Sequence, residues 1–426
     1  MTKDFAACVG IDWADQKHDL ALLPAGSTAE EHQQIEQTPE AIDAWATQLR
    51  QRFGGQPVAV CLEQSKGSLI HALMKYEFLV LYPINPKQLA RFREALAPSG
   101  SKDDPTDASW ILRLLVSHRD QLRAWQPDDP ATRLIRLLVE DRRGLVEQRT
   151  RLCNQLQDRL KQVFPLALEV LGSLTTDLAA EFLLRYSSFQ DLRQAPPEEV
   201  AALYRCHALG QAKIEERLKR IASATPLTMD VPLVTSARLL IRSLATQLRA
   251  LAEPLREYDR QLAAEMRQHP DAAIFESFPG AGDALAPRLL AAFGADRQRL
   301  QNAAQMQDLS GISPVSRRSG RALSVRRRWA CNQFLRQTFH EFAQHSLPRS
   351  VWARAYYQML RQRGKKHHAA VRALAFKWIR ILFRCWKDRH AYNDLFHCGK
   401  LTQRGSPLIA HIAPTDKKTD PTPQPT

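Results

Sequence analysis

Two short apolar runs that end in a carboxylate narrow the possible folds of this chain more than any other feature. Val9-Gly10-Ile11 leads into Asp12, and Val58-Ala59-Val60-Cys61-Leu62 leads into Glu63. Runs this short and uninterrupted read as buried strands, and an acid just past such a strand is presented at the edge of a sheet. Farther on, Lys102-Asp103-Asp104-Pro105-Thr106-Asp107-Ala108 holds a D-x-x-D pair at the start of a helical stretch. Asp104 and Asp107 are one turn apart, so they share a face and can reach one ion. Mg²⁺ is a hard cation held by carboxylate oxygens, and two such ions can clamp both oxygens of a phosphodiester exchange. Each acid alone has an ordinary explanation as a turn residue or as a complement to a helix dipole, and Asp103 fits the second. The order strand-Asp, strand-Glu, helix-D-x-x-D is the specific signal.

The surrounding pattern predicts an α/β domain on a mixed sheet over residues 1–128. Residues 5–12 and 18–24 read as strands joined by a polar turn, with a third strand expected near 30–36. Residues 39–52 have helical spacing, with Ile42, Trp45, Ala46 and Leu49 on one face. A strand over 57–62, a helix over 65–76, a strand over 78–84 and helices over 86–95 and 104–118 complete the domain. From 129 to 165, leucines at near-heptad spacing predict one long helix, the start of a helical or coiled-coil arm over 129–268. Further helices are expected over 177–185, 197–204, 211–221 and 234–268, the last able to pair antiparallel with the first. A mostly α-helical unit is expected over 269–404. Residues 405–426 are too polar and proline-rich to fold and are expected to be disordered.

The chain has 426 residues and a formal charge of +15. The stretch from Ser316 to His390 holds 19 Lys and Arg against Glu341 and Asp388, a balance of +17 that leaves the remainder at −2. A polyanion-binding surface is therefore expected mainly near the C-terminus, away in sequence from the acids, with nucleic acid the first candidate partner and an anionic membrane surface the second. No window resembles a membrane span, and the first residues lack the apolar stretch of a signal peptide. The seven cysteines are scattered without a CxxC pair, which argues against a zinc site or a disulfide framework and fits a reducing cytoplasm.

Three C-terminal motifs invite a chemical reading. Phe278-Pro279-Gly280-Ala281-Gly282 before a helix is similar to the hairpin of helix-hairpin-helix modules, in which backbone N–H groups at Gly280 and Gly282 would meet a phosphate. Gly311-Ile312-Ser313-Pro314-Val315-Ser316-Arg317-Arg318-Ser319-Gly320-Arg321 reads as a loop. A serine attacking phosphorus needs cations around it, and Arg317, Arg318 and Arg321 could serve. Arg326, Arg327, Arg328, Arg363, Lys365 and Lys366, followed by Arg372 and Lys377, form basic clusters suited to phosphate contact. His367-His368 lacks ligand companions at metal spacing and reads as part of this basic patch. A Ser-His-Asp arrangement is not visible in the sequence.

Together these strings resemble the DEDD transposases of bacterial insertion sequences of the IS-one-ten type, which include the pilin-gene inverting recombinases. The resemblance rests on Gly10-Ile11-Asp12, Glu63 and Lys102–Ala108, and continues through the Arg-rich helix near 142–155. It resumes at Phe278–Gly282, Gly311-Ile312-x-Pro314 with Ser319-Gly320, and Arg363-Gly364-Lys365-Lys366 running into Ala370–Lys377. Little in 166–265 can be matched. The resemblance implies a RuvC-like, RNase H-type N-terminal domain whose Asp12, Glu63, Asp104 and Asp107 bind Mg²⁺. It also implies a C-terminal transposase domain whose catalytic serine falls on Ser319. Such proteins recombine DNA through a phosphoserine intermediate as multimers, here expected to be dimers or tetramers, with composite sites. Related members are guided by a structured bridge RNA. Two rival readings remain: a RuvC-like structure-specific endonuclease that uses activated water, and a non-catalytic nucleic-acid-binding regulator.

Overall fold

A computed structural model describes residues 5–63, 67–96, 104–320 and 322–412. The chain divides into two compact units, Met1–Pro127 and Asp128–Thr426. In the first, β1 (Ala7–Asp12), β2 (Lys17–Pro24), β3 (Glu31–Glu36), β4 (Val58–Leu62) and β5 (Leu79–Pro83) form a sheet in the order β3-β2-β1-β4-β5. The pairs β1–β2 and β2–β3 are antiparallel, while β1–β4 and β4–β5 are parallel, so the sheet is mixed as expected. Parallel neighbours need a crossover. Helix α1 (Pro39–Arg52) precedes β4, and α2 (Ser68–Leu73) links β4 to β5.

Helix α1 starts where Thr38 accepts the Ala41 N–H at 3.2 Å, and it buries Ile42, Trp45, Ala46 and Leu49. Helices α3 (Pro86–Leu96) and α4 (Asp104–His118) follow β5. Gly10 determines how closely α4 lies on β1. A Cβ there would collide with the Ala108 carbonyl and the Leu112 amide, so only a bare glycine lets the helix backbone rest on the strand. Ala108 and Leu112 are fully buried in that contact.

The second unit is mainly helical. Its elements are α5 (Pro130–Val163), α6 (Leu166–Leu171), α7 (Asp177–Arg185), α8 (Phe189–Gln194), α9 (Pro197–Cys206), α10 (Gln211–Ala222), α11 (Val231–Gln268), α12 (Ala272–Glu276), α13 (Gly282–Phe293) and α14 (Ala303–Leu309). These are followed by β6 (Val315–Ser319), β7 (Ala322–Arg326), α15 (Gln333–Ser346), α16 (Val351–Gln362), α17 (His367–Asp388) and α18 (Asp394–Gln403). Helices α5 and α11 both start at an aspartate cap. Asp129 accepts from the Thr132 amide at 3.0 Å, and Asp230 from the Leu233 amide at 3.1 Å.

Two hydrophobic cores share these long helices. Leu152, Leu156 and Leu160 of α5 meet Ile241, Leu244 and Leu248 of α11 in a core with α6–α10. Ile135 and Val139 of α5 meet Leu262 and Met266 of α11 in the other core, with α13, α15 and α17 around Phe293, Phe342 and Trp378. The start of each long helix thus shares a core with the end of the other, so the two run antiparallel.

The expectation of a loop around Ser319 is corrected by the structure. Val315–Ser319 and Ala322–Arg326 pair antiparallel as a two-stranded ribbon, with Ser319 opposite Ala322. The turn holds Gly320 at φ +55°, a conformation that suits glycine. Among the described residues no helix is long and apolar enough to cross a membrane.

Candidate nucleic-acid-processing site

Asp12 ends β1, and Glu63 directly follows β4. These strands are parallel neighbours with Ile11 opposite Leu62, so the next residue on each, Asp12 and Glu63, emerges at the same end of the sheet. Both are half-buried. Gly10 meets Ala108 and Leu112, and Arg119, just past α4, lies 5.4 Å from the Phe5 ring before the start of β1, so α4 runs back along the strand and Asp107 falls toward the Asp12 end. Asp104 opens α4, and its side chain lies outside the described residues, as does Asp103.

Arg93 of α3 is a member of this neighbourhood that the sequence did not reveal. Its guanidinium forms an ion pair with Asp107 Oδ1, and both side chains are 17% exposed. Nothing in the spacing of α3 marks Arg93 apart from Arg91 or Lys87; the partnership exists only because α3 packs on α4. Among the described residues no three His, Cys, Asp or Glu side chains form a ready-made metal cluster. The donor chemistry nonetheless suits a hard cation, because the acids offer carboxylate oxygens. A carboxylate has two oxygens, so the Arg93 ion pair leaves room for a second partner on Asp107.

Ser319 is exposed at the far end of β6, beside Gly320. Arg318 next to it is exposed, the side chain of Arg317 lies outside the described residues, and so does Arg321. The ribbon has no buried residue among those described, and Val325 is 60% exposed. Its feet are fixed. The Asn332 amide donates to the Leu309 carbonyl at 3.1 Å, and Arg328 Nη2 donates to Asp308 at 2.9 Å. Gly311, at φ +64°, packs where a Cβ would strike Cys331. The Arg327 guanidinium lies 4.6 Å from the ring centre of Trp329, itself 71% exposed.

The other basic residues differ in setting. Arg326, Arg327, Arg363, Lys365 and Lys366 are exposed, the last three in the turn between α16 and α17. Arg372 is half-buried on α17, and burial, then Arg327 and Arg336, lowers its pKa. The Lys377 ammonium lies 4.3 Å from the centre of the Tyr356 ring, and burial, then Arg380, lowers its pKa. Gly282 is exposed at the start of α13, whereas Gly280 is buried. A Cβ on Gly280 would collide with the His345 carbonyl, so close packing against α15 accounts for that glycine.

Comparison with known proteins gives two matched stretches. A DEDD transposase family of the IS110 kind matches residues 9–165, and the transposase IS116/IS110/IS902 family matches residues 272–358. The mini-circle protein for IS117 of Streptomyces coelicolor is 29% identical over 406 residues, covering 90% of this chain and 95% of that protein. The uncharacterized 43.6 kDa protein of insertion element IS110 from the same species is 27% identical, covering 93% and 98%. The uncharacterized 42 kDa protein of insertion element IS900 of Mycobacterium paratuberculosis is 29% identical over 300 residues, covering 68% and 73%.

Proposed function

Because the chain belongs to the IS116/IS110/IS902 family of insertion-sequence transposases, we propose that it is a DNA recombinase that cuts and rejoins strands through a phosphoserine at Ser319. The Ser319 Oγ loses its proton and bonds to phosphorus as the bond from phosphorus to a sugar oxygen breaks. That oxygen leaves with a proton as a free strand hydroxyl. Attack on the phosphoserine by another strand's hydroxyl reverses the step and regenerates the serine, so no energy source is needed beyond the phosphodiester itself. Asp12, Glu63, Asp104 and Asp107 would hold Mg²⁺, with Arg93 orienting Asp107. When bound, the metal would neutralise charge on the scissile phosphate.

The observation that carries the acid half of this reading is the parallel register of β1 and β4, from which Asp12 and Glu63 emerge side by side. The sheet order β3-β2-β1-β4-β5, antiparallel on one side and parallel on the other, supports an RNase H-type scaffold. For the serine half, the support is an exposed nucleophile at the tip of a basic ribbon. We read residues 1–128 as the RuvC-like domain, 129–268 as a coiled-coil arm and 269–404 as the transposase domain. The exposed cations of the last would grip element ends and target DNA, together with a structured bridge RNA. Active sites would be shared between protomers of a dimer or tetramer in the bacterial cytoplasm.

The test is recombination of a plasmid carrying the element's ends. Asp12→Ala and Ser319→Ala should each lower it by roughly 10³-fold or more while DNA binding persists. Full activity in Ser319→Ala would remove the serine from the chemistry.

A further inference from the structure

At the foot of the β6–β7 ribbon lies a cleft of about 650 Å³ that the proposed chemistry does not use. Arg327, just past β7, lines it together with Arg336 and His340 of α15 and His368 and Arg372 of α17. Two acids reach its wall, and both are engaged with cations. Glu341 pairs with Arg288 and with Arg143, the latter at 3.3 Å, and Glu147 pairs with Arg143 at 3.0 Å. Among the described residues no carboxylate lies within ion-pair distance of Arg327, Arg336 or Arg372.

Arg336 is the telling member. It is 8% exposed, and its Nη1 has no hydrogen-bond partner. A guanidinium taken out of water without a counter-charge is strongly unfavourable, and an unpaired buried donor adds to that cost. Beside it His340 adds a ring nitrogen rather than a charge. His340 is held below its ordinary pKa by burial, then by His368, Arg372 and His367, against the opposing pull of Glu341. Its ring centre lies 5.6 Å from that of His368. Three converging guanidiniums with no carboxylate paired to them suit an anion with several oxygens, which is the chemistry of a phosphodiester.

The ribbon gives this anion site an address. Ser319 stands four strand residues from Val315, which pairs with Arg326, next to Arg327. At about 3.4 Å per residue this is roughly 14 Å. Neighbouring phosphates of one strand are farther apart than the axial rise of about 3.4 Å, so a strand laid along the ribbon would cross that length in a few nucleotides at most.

We propose that the cleft holds a DNA backbone phosphate within a few nucleotides of the phosphodiester met by Ser319, with Arg336 as the buried positioning residue and Arg327 and Arg372 as its partners. The address rests on the recombinase reading; the anion site itself does not. The test places a single neutral methylphosphonate at successive positions of an element-end duplex and measures binding by the full-length Ser319→Ala protein, with and without Arg336→Gln or Arg372→Gln. One position should weaken binding by about tenfold, and that penalty should shrink or vanish in either variant. Arg372→Gln carries the test if Arg336→Gln fails to fold. A scan in which no penalty depends on either arginine would overturn the site. A dependence found only with methylphosphonates in an RNA strand would overturn the assignment to DNA. If the wild-type protein never cuts the duplex yet the dependence is present, the anion site stands and the recombinase reading falls.

Discussion

Asp12 and Ser319 are each carried at the end of a strand, but the two strands are held in different ways. β1 sits in the middle of its sheet, with Val9 and Ile11 fully buried and α4 resting directly on Gly10. β6 has one neighbour and no buried residue among those described, and Val325 of that neighbour, β7, stands in solvent. An isolated two-stranded ribbon is marginally stable in water, whereas a central buried strand is fixed by everything packed on it. A group of carboxylates gains from being fixed before the ligand arrives, because misplacement by 1 Å is costly. A nucleophile on an exposed ribbon can instead settle against a large, variable duplex.

Substitutions can break or sharpen this contrast, and the largest effect is expected at Gly10. The Cβ of Gly10→Ala would collide with backbone atoms of α4, so at least about 2 kcal/mol of stability should be lost, read as a lower urea midpoint. At Gly320 a Cβ meets open space, and only the positive φ resists it, so Gly320→Ala should cost about 1 kcal/mol. Equal losses at the two glycines would mean that the ribbon is packed as tightly as the sheet. A still smaller change is expected for Val325→Thr, within about 0.5 kcal/mol, because that side chain is already in water.

Acidification should weaken both units. His18 in the first, and His340 and His397 in the second, have pKa values lowered chiefly by burial from the ordinary 6.5. The unfolded chain therefore binds more protons below about pH 6.5. The stability these groups contribute is complete above that value and is lost as pH falls through their lower folded values. The urea midpoint at about pH 5.5 should lie below that at about pH 7.5; a rise would contradict the burial of these rings.

The same contrast explains what could be read in the sequence. The apolar runs before Asp12 and Glu63 announce buried strands because burial imposes composition. The face of α1 is legible for the same reason, through Ile42, Trp45, Ala46 and Leu49. The ribbon is not, because Val315–Arg326 is held by backbone pairing with no apolar face to leave a period, so it reads as a loop. Arg93 and Arg336 escape notice because each is defined by a neighbour on another helix. One has Asp107 as its partner, and the other sits in the α15–α17 cleft with a nitrogen left unpaired. Gly280 has a second reason to be glycine that the sequence does not show, its close packing against α15.

The most direct measurement of the central claim is capture of a covalent protein–DNA species. Wild-type protein, Mg²⁺ and a labelled element-end duplex are quenched in denaturant, and any adduct is mapped by peptide mass spectrometry. The account predicts a phosphodiester link on Ser319 that is absent from both Ser319→Ala and Asp12→Ala. Cut DNA with no attached protein, or an adduct that survives Ser319→Ala, would contradict it.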